Sequence, residues 1–305
     1  MVKQGDMIMS QRSNCTATAQ LVAAMALAGS SVVVGKGLAN TLPVFLTTAA
    51  TLMVALVVLL PYAWQKRSEI CALETREWLY LFLQGFFGIV LFRVLMLHGL
   101  RTVGAAQAGI ITGTSPAVLT ILSWLMMGER PTALSGVCLL CTITGATGIA
   151  LADRGGVQSG GFSWGMALIF GAVVSEGLFS IWRKRIAATV PATTNTVVLV
   201  FCALLAVLPM ALVDLLRHPV APTTTDVAAI LYYGAVATVA AYILWTGAVG
   251  SVSGVTAGIS TAAMPASAVA LSALVLNQPL SLTQLCGCLL VMLGIVAGAW
   301  SARGE

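Results

Sequence analysis

Charge is what this 305-residue chain has least of. Asp, Glu, Lys and Arg make up 8% of it, against roughly 25% in soluble domains. With 59% hydrophobic residues and a mean hydropathy of +0.98, the chain cannot hide its apolar side chains inside a water-soluble globule. Most of its surface must meet lipid. Histidine is nearly absent, and His98 and His218 stand far apart in sequence. No Walker-type phosphate loop is present, which argues against ATP-driven transport by this chain alone. Neither a polar catalytic cluster nor a metal-ligand set is found, so no enzymatic activity, cofactor or metal is expected. Cys138 and Cys141 form a lone CxxC on an apolar segment, without a second pair or nearby histidines, and read as small hydrophobes. The net charge of +5 is small and scattered, which excludes a nucleic-acid partner and leaves topology as its role. No cleavable signal peptide is expected, because the first apolar stretch, 17–35, is long enough to span and leads into further spans.

What is present in abundance is repetition. Residues 103–117 recur as residues 252–266, with Val103, Ala108, Gly109, Ile110, Thr112, Pro116 and Ala117 identical to their partners 149 positions downstream. The match continues to Arg130-Pro131 in the first copy and Gln278-Pro279 in the second. Both copies are strongly apolar. A duplicated hydrophobic unit with proline at one depth points to a transporter built from two repeats.

A span needs about 20 mainly apolar residues. The expected spans are 17–35, 42–63, 78–98, 104–127, 133–151, 162–182, 194–213, 227–247, 253–276 and 283–300. The fold expected is all-α and integral to the membrane, with ten transmembrane helices in two five-helix repeats, 17–152 and 161–301, around a glycine-rich joint at 153–161. Gly294 and Gly298 offer a face for close helix packing. Trp78, Trp164, Tyr232, Tyr233 and Trp245 fall near span ends and read mainly as an interfacial belt. With the N-terminus cytoplasmic, the inner segments hold ten Lys/Arg, including Arg183, Lys184 and Arg185, against four outside. Both termini are therefore placed in the cytoplasm, across a cell inner membrane. Five helices per half is odd, so the second repeat must enter from the opposite side. The repeats are expected to be inverted.

The run from Leu97 to Pro131, LHGLRTVGAAQAGIITGTSPAVLTILSWLMMGERP, resembles the EamA-type repeat of the drug/metabolite transporter superfamily. The matching features are the small-residue start of the fourth helix, Pro116 in its first half, and the Gly128-Glu129-Arg130 exit. The second copy keeps Pro265 but has Asn277-Gln278-Pro279 where the Glu-Arg would be. Members often carry an arginine near the start of the second helix, and here the local match reads Ala50-Thr51-Leu52. No role attached to that arginine carries over. The resemblance implies ten helices around a central cavity, small organic solutes as cargo, and frequent export.

Glu176 is the sharpest candidate site residue, since a carboxylate within a span is costly. Counted at ~1.5 Å per residue from Phe162, it is expected in the cytoplasmic third, taking up a coupling proton, holding a substrate amine, or snorkelling toward Arg183–Arg185. Arg93 is the complementary charge, expected toward the exterior and too far from Glu176 for a direct ion pair. It binds a substrate carboxylate, or else reaches the outer interface or Asp214. Lys36 and His98 read as interfacial anchors. Pro116 and Pro265 are each expected to remove an internal helix bond. Thr112, Thr114, Ser115, Ser260 and Thr261 precede them, and their hydroxyls either satisfy the freed carbonyls or line the cavity between repeats.

The expected function is a secondary transporter for a small polar or amphipathic metabolite such as an amino acid, in the export direction. Its partners are that solute, the lipid bilayer and a coupling ion. Import of a vitamin or nucleotide-like solute remains the rival within transport. A non-transporting or lipid-handling membrane protein is the rival outside it.

Overall fold

The structure is a computed structural model that describes residues 2–100, 111–129, 136–137, 139–141, 143–144, 164–217, 221–276, 282, 285–287, 289–290 and 292–294. The expected spans 133–151 and 283–300, the joint 153–161 and the Gly294/Gly298 face lie largely or wholly outside these residues. The described residues form helices and their connections, without a strand.

Helix α1, Val2–Thr41, far outruns its expected span because no proline interrupts the chain before Pro43. Pro43, with φ −60° and ψ 145°, opens α2, Val44–Gln65. A short α3, Arg67–Cys71, turns the chain, and its neighbourhood is tied by the Lys66–Glu69 ion pair and by Arg67 over the Trp64 ring. The third span begins with a Glu74/Glu77 capping box and runs through α4 (Thr75–Gly85), a wider π-turn (Phe86–Leu91) and α5 (Phe92–Leu100). Next come α6 (Ser115–Met127), α7 (Trp164–Ile186) and α8 (Ala192–Arg217). Helix α9 (Thr224–Tyr232), a second π segment (Tyr233–Ala240) and α10 (Ala241–Ala248) make another continuous span. Then come α11 (Gly254–Thr261) and α12 (Ala263–Leu276), and helical residues continue at 285–287, 289–290 and 292–294.

Five of these stretches are long and apolar enough to cross a membrane: Val44–Gln65, Thr75–Met96, Trp164–Ile186, Ala192–Arg217 and Thr224–Ser251. Their outward side chains are large and apolar, such as Val57, Leu60, Phe82 and Leu216, the last 85% exposed. Such a surface is stable only against lipid. The protein is a multi-pass membrane protein.

The repeat visible in sequence returns in the packing. The π segment Phe86–Leu91, moved by 149 positions, falls within Tyr233–Ala240. Immediately before these segments stand Gly85 and, one residue into the second, Gly234. A β-carbon on Gly85 would lie 2.9 Å from the Leu199 carbonyl oxygen in α8, and one on Gly234 would lie 2.6 Å from the Thr51 carbonyl oxygen in α2. Each repeat thus presses its third-helix glycine against the second helix of the other. Helices α2 and α8 also run against one another, α1 lies along α12 and α10, and α7 lies along α6 and α5. Small residues at these crossings let backbones approach where lipid supplies no hydrophobic drive.

The prolines act differently from expectation. Pro116 sits in the first turn of α6, after a turn at Gly113-Thr114, where its missing N–H would have no helical partner anyway. Pro265 is likewise in the first turn of α12, after a turn at Ala262. Both fourth-helix units are broken two to three positions before the proline, so neither proline removes an interior bond. The break itself is symmetric.

Candidate functional site

Glu176 lies at the midpoint of α7, not in its inner third. The helix continues to Ile186 because Arg183 and Lys184 are buried in its last turn by specific partners, instead of standing in a solvated joint. Arg183 donates through Nε to the Thr246 carbonyl (2.7 Å) and through an Nη to the Val190 carbonyl (2.8 Å). Lys184 pairs with Glu129. The neighbouring Ser175 donates its hydroxyl to the Phe87 carbonyl at 2.7 Å, and Phe87 is itself mid-span. This registers Glu176 at the centre of the bundle. Its Oε2 is 3.5 Å from the Ser115 hydroxyl, a long contact that brings the break before Pro116 to the carboxylate.

Arg93 is a turn and a half farther along the third span. Its Nη1 donates to the Thr48 hydroxyl at 3.2 Å, and its guanidinium lies 4.9 Å over the Tyr233 ring. The ion pairs among the described residues are Lys66–Glu69 and Lys184–Glu129, so Arg93 has no carboxylate partner there, Asp214 included. Beside it is a recess of about 10 Å³ lined by Val44, Phe45, Thr48, Val90, Val94 and Val207. That holds roughly one water. A larger solute would need the helices to part.

Tyr242, on α10, packs against the same helix that carries Glu176. Its ring stands edge-on to Phe179 at 5.7 Å, and its hydroxyl donates to the Gly88 carbonyl at 3.4 Å. Phe179 is three residues after Glu176, on the same face of α7. Three contacts mark the interior: Arg93 with Tyr233, Tyr242 with Phe179, and Glu176 with Ser115.

The other expected residues divide. Thr114 donates its hydroxyl to the Ile111 carbonyl (2.6 Å) at the break. Thr112 lies in the turn before it, half-buried and engaged. Ser260 and Thr261 are buried and donate back to the carbonyls of Thr256 and Gly258 within α11, at 2.8 and 2.7 Å. They serve the helix end before Pro265, which has the same place in the second repeat as Pro116 in the first. His98 is exposed and bonds within its own helix. The side chain of Lys36 lies outside the described residues. Trp164, 76% exposed, suits an interfacial belt, but Trp245 is 3% exposed, Tyr232 bonds Ser30 at 2.8 Å, and Tyr233 packs on Arg93.

Sequence reasoning passes over Thr48, Tyr242 and Gln84, and it reads Tyr233 as part of an interfacial belt when its ring lies against Arg93. Gln84 is fully buried, and its amide finds no partner among the described residues. A signal was present: shifted by 149, Arg93 falls on Tyr242 and Gln84 on Tyr233. The repeat offset thus pointed to all four positions of the third-span pair.

The sequence profile of the EamA-like transporter family matches residues 17–151 and again 163–297. The chain belongs to the EamA-like transporter family. A relative from Bacillus subtilis (strain 168), the uncharacterized transporter YetK, is 32% identical over 277 residues, covering 90% of this chain and 84% of the relative. A solved crystal structure shares the fold with a TM-score of 0.74 at 21% identity, over 97% of this chain and 98% of that one. Membership in the EamA-like family, part of the drug/metabolite transporter superfamily, makes the chain a transporter. The two profile matches meet the two halves whose third-helix glycines pack reciprocally.

Proposed function

We propose that the chain is a secondary transporter of ten helices in two inverted repeats, set in a cell inner membrane with both termini cytoplasmic. It exports a small polar or amphipathic metabolite that carries a carboxylate, such as an amino acid. Arg93 receives the carboxylate, Tyr242 and Phe179 flank the body of the solute, and Glu176 exchanges a proton or holds an amine. One observation carries this reading. Two opposite charges lie inside the bundle without pairing to each other or to another charge among the described residues, with Tyr233 against Arg93 and Phe179 one turn from Glu176. Ionisable groups inside a membrane protein are costly and are retained where they serve a pathway. The hydroxyls at the breaks before Pro116 and Pro265 satisfy local carbonyls, consistent with irregular backbone facing a cavity.

Purified protein in proteoliposomes, screened with labelled amino acids and related carboxylates with and without an imposed proton gradient, tests it. Gradient-driven movement of a carboxylate-bearing solute is expected. Movement only of neutral or cationic solutes would remove Arg93 from its assigned role.

A further inference from the structure

The polar contacts at one end of the bundle have a different character from the rest. Glu129, just after α6 in the first repeat, accepts from the Lys184 ammonium at the end of α7 and from the backbone N–H of Gly254, the first residue of α11. Both partners belong to the second repeat. One carboxylate therefore ties three helix ends across the repeat boundary. It also meets a helix N-terminus, where a negative charge is favoured, while Ser253 caps the Thr256 N–H of the same turn at 3.2 Å. Arg185 adds a donor to the Met126 carbonyl at 3.1 Å.

The packing beneath is close. A β-carbon on Gly254 would collide with the Ser123 side chain and lie 2.9 Å from Glu129 Oε2. Ser123 is fully buried, with a hydroxyl that has no partner among the described residues. It sits on α6 between Glu129 and the break at Ser115 that touches Glu176. Glu129, just past α6, and Ser123 and Ser115 on it thus follow one another from this end of the bundle toward Glu176.

We infer that Glu129, Lys184 and the α11 N-terminus form a releasable latch, which closes this end of the transport pathway when made and opens it when broken. The latch suits reversible opening because its bonds are polar. The Lys184 side chain is 3% exposed and that of Glu129 is 27% exposed, so the carboxylate stands at the rim. Parting the helices replaces the protein contacts of both groups with water, whereas removing one partner leaves the other charge buried and uncompensated. Contacts within the second repeat, such as Arg183 with Thr246 and Val190, need not break in this motion. At the offset of 149, Gln278 takes the position of Glu129, so the second copy carries no carboxylate at that sequence position.

This inference rests on the transport reading for its purpose, but its test does not need a substrate. Ser123→Cys replaces a hydroxyl without a partner and places a thiol behind the latch. Labelling of that thiol by a membrane-impermeant maleimide is followed in inside-out and right-side-out vesicles by mass spectrometry of the peptide containing position 123. With Glu129 and Lys184 intact, labelling from the cytoplasmic face should be slow. Glu129→Gln and Lys184→Met should each speed it on the order of tenfold or more, the scale set by uncovering a buried pair. Lys184→Arg, which keeps the pair, should stay slow. If Glu129→Gln does not fold, as judged by monodisperse elution, Lys184→Met against Lys184→Arg decides alone. Equal rates in Met and Arg variants would overturn the latch. Faster labelling only in right-side-out vesicles would sustain the latch and overturn the assigned orientation. Faster labelling without transport in any assay would sustain the latch and sink the transport reading.

Discussion

Arg93 sits inside a membrane span against a hydroxyl and an aromatic face, and on the proposed reading its guanidinium takes the solute's carboxylate once the helices part. Arg93→Gln should raise KM for a carboxylate-bearing solute on the order of 100-fold, the equivalent of ~2.7 kcal/mol, as expected for losing a charge-assisted bidentate contact. Arg93→Lys should raise it about tenfold, because an ammonium keeps the charge but not the fork or the stacking on Tyr233. Initial-rate uptake in proteoliposomes measures both. Equal KM values in all three proteins would place Arg93 among residues that only hold α5 to α2. Arg93 and Glu176 were legible in sequence because charges within spans are rare. Thr48, Tyr233 and Tyr242 were not, because a polar residue on an apolar helix does not reveal which neighbour it faces. The depth of Glu176 was misjudged for a related reason. Arg183 and Lys184 look like solvated loop charges until their buried partners Val190, Thr246 and Glu129 are seen.

At the scale of single elements, the helices are set by breaks and by close approaches. Pro116→Ala should change stability by less than ~1 kcal/mol, since proline in a first helical turn removes no bond. Gly234→Val should cost ~1–3 kcal/mol or prevent assembly, because its side chain would press on the Thr51 carbonyl at a well-packed crossing. Gly85→Val should do the same against Leu199. Thermal unfolding in detergent compares the three. A Pro116→Ala loss as large as that of Gly234→Val would restore an interior role for the proline. Five of the ten expected spans were readable from hydropathy alone, as α2, the stretch from Thr75 to Met96, α7, α8 and the stretch from Thr224 to Ser251 lie where apolar runs predict them. The split of the expected span 253–276 into α11 and α12 was hidden, because Ser260 and Thr261 are as compatible with a continuous helix as with a helix end. The π segments were hidden too, since nothing in FFGIVL or YGAVATVA distinguishes a π-turn from an α-turn by composition.

For the whole molecule, sequence repetition and reciprocal packing converge on two equivalent halves, and orientation is the part that needs a membrane. Reporter fusions after residues 70, 157, 188 and 305 should read cytoplasmic, external, cytoplasmic and cytoplasmic. A cytoplasmic reading at 157 would contradict inversion of the repeats. Transport by two such halves, coupled at the centre through Glu176, is the central claim. Glu176→Gln imitates the protonated carboxyl while leaving Arg93, Tyr242 and the aromatic walls in place. The decisive measurement compares wild type and Glu176→Gln in proteoliposomes, scoring accumulation of the identified solute under a proton gradient beside gradient-free exchange. Loss of gradient-driven accumulation with exchange retained is the expected result. Accumulation that keeps its full extent and its pH dependence in the Gln variant, at matched protein levels, would contradict coupling through Glu176.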